Sequence, residues 1–92
     1  MTDARPMTVS AIQITSDDAA KAATVERMMG FLDVAGRRGS ELVVLPEIWT
    51  GAGLSTDEAY LDLAEPIPGP TTDLLAEKAR KYGMYIVGSM YE

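Results

Sequence analysis

Gly39-Ser40-Glu41-Leu42-Val43-Val44-Leu45-Pro46-Glu47 is the stretch on which the fold turns. Leu42-Val43-Val44-Leu45 is apolar at four consecutive positions, the mark of a strand covered on both faces inside an α/β sheet. Pro46 has no amide hydrogen to give to a ladder, so the strand ends there and Glu47 follows at its carboxyl end. Upstream, Ala22, Val25, Met28, Met29, Leu32 and Ala35 recur at helical spacing, one stripe of an amphipathic helix that starts near Ala19. Asp17 or Asp18 is placed to cap its first amides. Gly36 and Gly39, around Arg37 and Arg38, supply a left-handed stop with cations at the negative end of the helix dipole. Gly30 costs this helix about 1 kcal/mol against alanine, and close packing is the expected reason for it.

Working outward, Met7–Ile14 is rich in β-branched and apolar residues and lies between Pro6 and Ser16-Asp17-Asp18, which predicts a first strand. Between Ile48 and Gly69 runs a long connection with a short helix of its own. Ser55-Thr56-Asp57-Glu58 fits a capping box, and Tyr60, Leu61 and Leu63 are expected to pack beneath that helix. Glu65-Pro66-Ile67-Pro68-Gly69-Pro70 then approaches a second long helix, with Gly69 as its cap and Pro70 at its first position. Leu74, Leu75, Ala79 and Tyr82 form the buried stripe of that helix. Gly83 closes it, and Met84–Tyr91 predicts a third strand. The order strand, helix, strand, helix, strand implies an α/β layer with right-handed crossovers. Three strands expose two sheet edges, and two helices on one side leave the other face of a buried-type strand open. A further covering layer is therefore expected.

Ninety-two residues bound the chain to one small core. With 47% hydrophobic and 24% charged residues, the composition is that of a globular chain, so disorder and fibrous architectures are disfavoured. The net charge of −6 repels a phosphate backbone, and no nucleic-acid partner is expected. Cysteine and histidine are both absent, which removes disulfides, thiolate nucleophiles, imidazole bases and nearly every zinc, copper or haem site. No apolar run approaches the length of a membrane span, and Met1–Pro6 lacks a signal-type apolar region; no membrane association and a cytoplasmic location are the expectation. A chain of this size buries only about 60% of its unfolded surface, so it is expected to be marginal alone.

Glu47 leads the candidates for chemistry, because ligands of open α/β sheets gather beyond the carboxyl ends of strands. A partly dry setting there would raise its proton affinity toward that of a general base. The stretch Glu41–Glu77 adds eight acids and no Lys or Arg. The plainer alternative makes Glu47 a solvated residue at a strand end, or a cap on a backbone amide. Asp57, Glu58, Asp62 and Glu65 fit no calcium loop and read as the solvated face of a short helix, so no metal is assigned. Thr50-Gly51-Ala52-Gly53 lacks the third glycine and the lysine of phosphate-binding loops and reads as a turn. Lys78 and Lys81 lie away from the apolar stripe of their helix and read as solvated surface. Trp49 and Tyr60 are candidates for lining a pocket, or for packing and interface anchoring.

Four blocks in register resemble the amino-terminal part of the nitrilase superfamily, the carbon-nitrogen hydrolases. They are Val9-Ser10-Ala11-Ile12-Gln13-Ile14, the Gly39–Glu47 stretch with its Leu-Pro-Glu core, Pro66-Ile67-Pro68-Gly69-Pro70-Thr71-Thr72, and Tyr85-Ile86-Val87-Gly88-Ser89-Met90-Tyr91-Glu92. The resemblance implies that residues 1–92 are an incomplete domain, the first part of an α-β-β-α sandwich. It implies cleavage of non-peptide C–N bonds in small-molecule amides, carbamoyl compounds or nitriles by a Glu-Lys-Cys triad, without a cofactor, in an enzyme that forms a homo-oligomer when complete. Glu47 matches the glutamate of that triad. Lys78 and Lys81 do not match its lysine, and the nucleophile is absent, so the chain alone is expected to be inactive. Two other readings compete. One is a non-catalytic interaction module that docks through an exposed sheet edge or face. The other is a small carboxylate enzyme built around Glu47, for which no second positioned group can be named.

Overall fold

The computed structural model describes residues 4–14, 21–47, 49–50, 57–90 and 92. Its elements are β1 (Val9–Ala11), α1 (Lys21–Arg37), β2 (Leu42–Val44), α2 (Asp57–Leu63), α3 (Pro70–Tyr82) and β3 (Tyr85–Val87). The strand, helix, strand, helix, strand order expected from sequence is present, with the short α2 inside the second crossover. The strands form a parallel sheet in the order β1-β2-β3. Each is shorter than its apolar run. Pairing in three-residue registers ends with β2, which Pro46 terminates, so the flanks of β1 and β3 find no longer ladder.

Two crossovers of one hand that step in the same direction leave both helices on the same face of the sheet. Ser10, Val43 and Ile86 are in register and, by the strand alternation, share one face. Met28, Leu32 and Ala35 of α1 close over that face with Val43, Leu45, Trp49 and Met84, while Leu75, Tyr82 and Ile86 pack against the same cluster. The opposite face carries Val9, Val44, Tyr85 and Val87, all exposed, with Tyr85 at 75% and Val87 at 54%. β2 is thus covered on one face only, whereas its apolar run reads as a strand covered on both. The described residues do not supply the second layer that this run calls for.

α1 ends in a Schellman arrangement: Ser40 N–H donates to Ala35 O and Gly39 N–H to Gly36 O, both at 3.1 Å, with Gly39 at φ 81°. The left-handed stop therefore belongs to Gly39 alone. Gly36 lies within the helix, under the Tyr82 ring. Ala22, expected in the buried stripe of α1, is exposed, and Thr24 takes its place beside Met28, Leu32 and Ala35. On α3, Gly69 and Pro70 open the helix and Gly83, at φ 62°, ends it as expected. Leu74 departs from its predicted stripe: it is exposed at the rim of a groove between α1 and α3, beside Val25 and Met29. The caps expected at Asp17 and Asp18, the Ser55 and Thr56 part of the capping box, and the side chain of Tyr60 lie outside the described residues.

Gly30 overturns its packing explanation, because a Cβ built there meets nothing within 4 Å. With an exposed helical backbone and open space, Gly30→Ala loses only unfolded-chain entropy and is expected to stabilise the fold by about 1 kcal/mol. A raised urea midpoint at unchanged slope is the measurement that checks it.

Candidate functional site

Glu47 occupies the turn immediately beyond β2. Its position follows from burial on both sides: Leu45 N–H donates to Val87 O at 2.8 Å and its side chain is buried, and two residues further on Trp49 is 3% exposed within the core. The backbone between these anchors turns outward, and Glu47 is exposed. The partly dry setting expected for it is not found in this chain. With α1 and α3 on a single face, the described residues leave the turn open to water. Glu47 also forms no hydrogen bond or ion pair with another described residue. Among the described residues its carboxylate is therefore uncommitted, which is what a base awaiting partners from elsewhere requires and equally what a solvated strand end shows.

Trp49 proves to be core rather than pocket lining, and Thr50 beside it is fully buried. The Trp49 Nε1 and Thr50 Oγ1 atoms are buried without a hydrogen-bond partner among the described residues. Gly51, Ala52 and Gly53 of the expected turn lie outside those residues.

Two charged arrangements were not legible in the sequence. Glu65, grouped there with a solvated acidic face, accepts bonds from Lys21 Nζ (2.6 Å) and Thr71 Oγ1 (2.8 Å) at Oε2 and from Thr71 N–H (2.6 Å) at Oε1. Glu58 and Asp62 are exposed, as expected. The available signal was Gly69: an N-cap without a side chain obliges the first amides of α3 to find an acceptor elsewhere. Lys78, read as solvated, is half-buried and donates to Asp33 Oδ1 at 2.8 Å, an oxygen that Tyr82 OH also reaches at 2.7 Å. No local signal marks this clasp, because α1 meets α3 only in the tertiary fold. Lys81 is exposed and lies 5.3 Å from the Tyr82 ring centroid. Arg5 and Glu41 pair at 2.7 Å near the surface, where such pairs contribute little.

The Lys78 ammonium and then the Tyr82 hydroxyl hold the Asp33 carboxyl below its ordinary range. Burial pushes Glu65 upward, but Lys21 and the Thr71 donors outweigh it and the net shift is also downward. Both carboxyls bind a proton less readily folded than unfolded. Their stabilisation is therefore complete above the ordinary carboxyl range and is lost as pH falls through the lowered values. The melting temperature is expected to hold steady from about pH 7 to 5 and to drop below about pH 4. In Asp33→Asn/Glu65→Gln that drop should be smaller; an equally steep drop would assign acid sensitivity to other groups.

Among the described residues, no group of three or more metal-ligating side chains converges, and no helix is long and apolar enough to cross a membrane. Against known proteins, the carbon-nitrogen hydrolase family model matches residues 8–92. A nitrilase of Pyrococcus abyssi is 43% identical over 60 residues, covering 63% of this chain and 23% of that protein. A nitrilase of Paraburkholderia phymatum is 28% identical over 100 residues, covering 95% of this chain and 29% of that protein. An omega-amidase of Danio rerio is 37% identical over 71 residues, covering 74% and 24%. The chain spans about a quarter of the length of these relatives.

Proposed function

Because the chain belongs to the carbon-nitrogen hydrolase family, we propose that Glu47 is the general base of a Glu-Lys-Cys triad whose lysine and cysteine lie on polypeptide outside these 92 residues. The observation that carries this reading is the placement of Glu47 just past the carboxyl end of the central strand, between the buried anchors Leu45 and Trp49. The substrate class is small-molecule amides, carbamoyl compounds or nitriles, in line with the names of the relatives. On an amide, the cysteine sulfur bonds to the carbonyl carbon as its proton passes to Glu47, and the lysine ammonium steadies the oxyanion. The C–N bond then breaks, with Glu47 giving that proton to the leaving nitrogen. Water next loses a proton to Glu47 and cleaves the thioester; that proton returns to the departing sulfur. Every step uses side chains, and no cofactor enters.

Residues 1–92 are, in this reading, the first part of one α-β-β-α domain, and a second layer covers Val9, Val44, Tyr85 and Val87. The completed enzyme is a cytoplasmic homo-oligomer. Alone, the chain hydrolyses nothing, since it has no cysteine.

The test combines the purified chain with a polypeptide bearing the part of the Paraburkholderia phymatum nitrilase that lies beyond the region this chain matches, and follows ammonia release from amides and nitriles. None is expected from the chain alone. Release by the pair is expected, with Glu47→Gln lowering it about 10²- to 10⁴-fold. Turnover by the chain alone, or a Glu47→Gln pair as fast as the parent, overturns the proposal. The uncovered sheet face favours one second reading, a non-catalytic module; a stable complex without turnover is its signature.

A further inference from the structure

We infer that the outward side of α1 and α3 is where a second copy of this chain docks, antiparallel to the first across a two-fold axis. The inference gives the homo-oligomer of the proposed function its contact surface, and it rests on that part of the reading alone, not on Glu47. It starts from Gly30. A glycine inside a helix weakens it relative to alanine, and no described residue requires one here: the position is exposed and a Cβ would meet no atom within 4 Å. What a missing side chain offers on an open helix face is close approach by another chain. Val34 and Phe31, both exposed, stand beside that notch as apolar side chains left to water in the single chain.

Charge identifies the occupant. At about 100° per residue, Glu26, Gly30, Val34 and Arg37 fall on the side of α1 away from the buried Met28 and Leu32. Asp73, Glu77 and Lys81 follow one another at four-residue steps along the outward side of α3, and all three are exposed. The helices run side by side in the same direction: Leu74 lies beside Val25 and Met29, Lys78 bonds Asp33, and Tyr82 lies against Gly36. Acids therefore stand at one end of this surface, Glu26 and Asp73, and cations at the other, Arg37 and Lys81. Glu26, Arg37 and Asp73 form no ion pair among the described residues. Turning a second copy end for end brings each acid opposite a cation, and one axis serves both helices. The midpoint between Glu26 and Arg37 lies between Phe31 and Leu32, that between Asp73 and Lys81 lies at Glu77, and the Lys78–Asp33 bond sets the two midpoints level. About the same axis Gly30 comes opposite the second copy's Val34, so each chain offers a notch for the other's side chain. Glu77, on the axis, is flanked by Arg80 and Lys81 of its own helix. The antiparallel arrangement also opposes the helix dipoles. This surface is on the far side of the helices from Val9, Val44, Tyr85 and Val87, so a second layer on the sheet leaves it open.

Sedimentation equilibrium of the 92-residue chain tests this, with far-UV circular dichroism establishing that each variant is folded. The parent is expected to be a dimer at about 100 μM. Gly30→Gln fills the notch with a helix-compatible side chain that nothing within 4 Å obstructs, and it should raise the dissociation constant about 10-fold or more. Glu26→Arg and Arg37→Glu should each raise it about 5-fold or more, whereas Glu26→Arg/Arg37→Glu in one chain swaps the two charges at constant net charge and should return it to within about 2-fold of the parent. Tyr85→Lys, on the exposed sheet face, should leave it unchanged. A chain that stays monomeric at that concentration overturns the inference, as does a dimer indifferent to Gly30→Gln or a charge swap that fails to restore association. A dimer abolished by Tyr85→Lys and untouched by the α1 variants also overturns it, while leaving self-association of the chain standing. None of these measurements reads ammonia release, so the role of Glu47 stands or falls separately.

Discussion

Trp49→Ala is expected to cost about 3–5 kcal/mol of folding stability, enough to unfold most of a chain this small at 25 °C. The indole is 3% exposed and packs with Met28, Leu32, Ala35, Val43, Leu45 and Met84, the whole buried apolar core among the described residues. Truncation leaves a large cavity beneath the turn that displays Glu47, and short flanking anchors give that turn little freedom to collapse into it. Trp49→Phe keeps a ring in place and deletes the Nε1 donor, which is buried without a partner among the described residues. Removing an unsatisfied buried donor offsets part of the lost volume, so less than about half the alanine cost is expected. Urea unfolding followed by far-UV circular dichroism checks both variants, since Trp49 is the only tryptophan and its fluorescence is lost in each. An alanine variant with the parental midpoint would show that the turn is not held by this side chain.

Gly36→Ala is expected to cost about 1–3 kcal/mol, the opposite sign from Gly30→Ala earlier on the same helix. A Cβ on Gly36 would sit inside contact distance of three ring atoms of Tyr82. The ring cannot retreat freely, because Tyr82 OH is bonded to Asp33 at 2.7 Å and Lys78 shares that carboxylate oxygen. Relief must come from separating α1 and α3 or from breaking the clasp. The decisive comparison is Gly36→Ala in a Tyr82→Ala background. There the steric partner is gone, and the substitution should become neutral or stabilising, giving a large coupling energy in the double-mutant cycle. Additive costs would place the strain somewhere other than the Gly36–Tyr82 contact.

The legible part of this protein is the part written in short-range chemistry. Proline and glycine control the ends of β2, α1 and α3 through a missing donor or a positive φ, and those effects act within a few residues. The stripe Met28, Leu32 and Ala35 is legible because helical periodicity alone brings the three side chains to one side. Glu47 is readable as a position, since Pro46 must end the strand before it. Its surroundings were not, because desolvation depends on which layers cover the sheet.

From sequence alone, then, come the α/β order, the strand and helix terminators, the family resemblance and the place of Glu47 in the chain. Tertiary structure alone decided which face of the sheet the helices cover, why Gly36 must be small while Gly30 need not be, and which charges are buried. Asp33 with Lys78, and Lys21 with Glu65, stand 45 and 44 residues apart. Helical and strand periods relate near neighbours, whereas such contacts exist only after the chain has folded back on itself, and no local pattern encodes them.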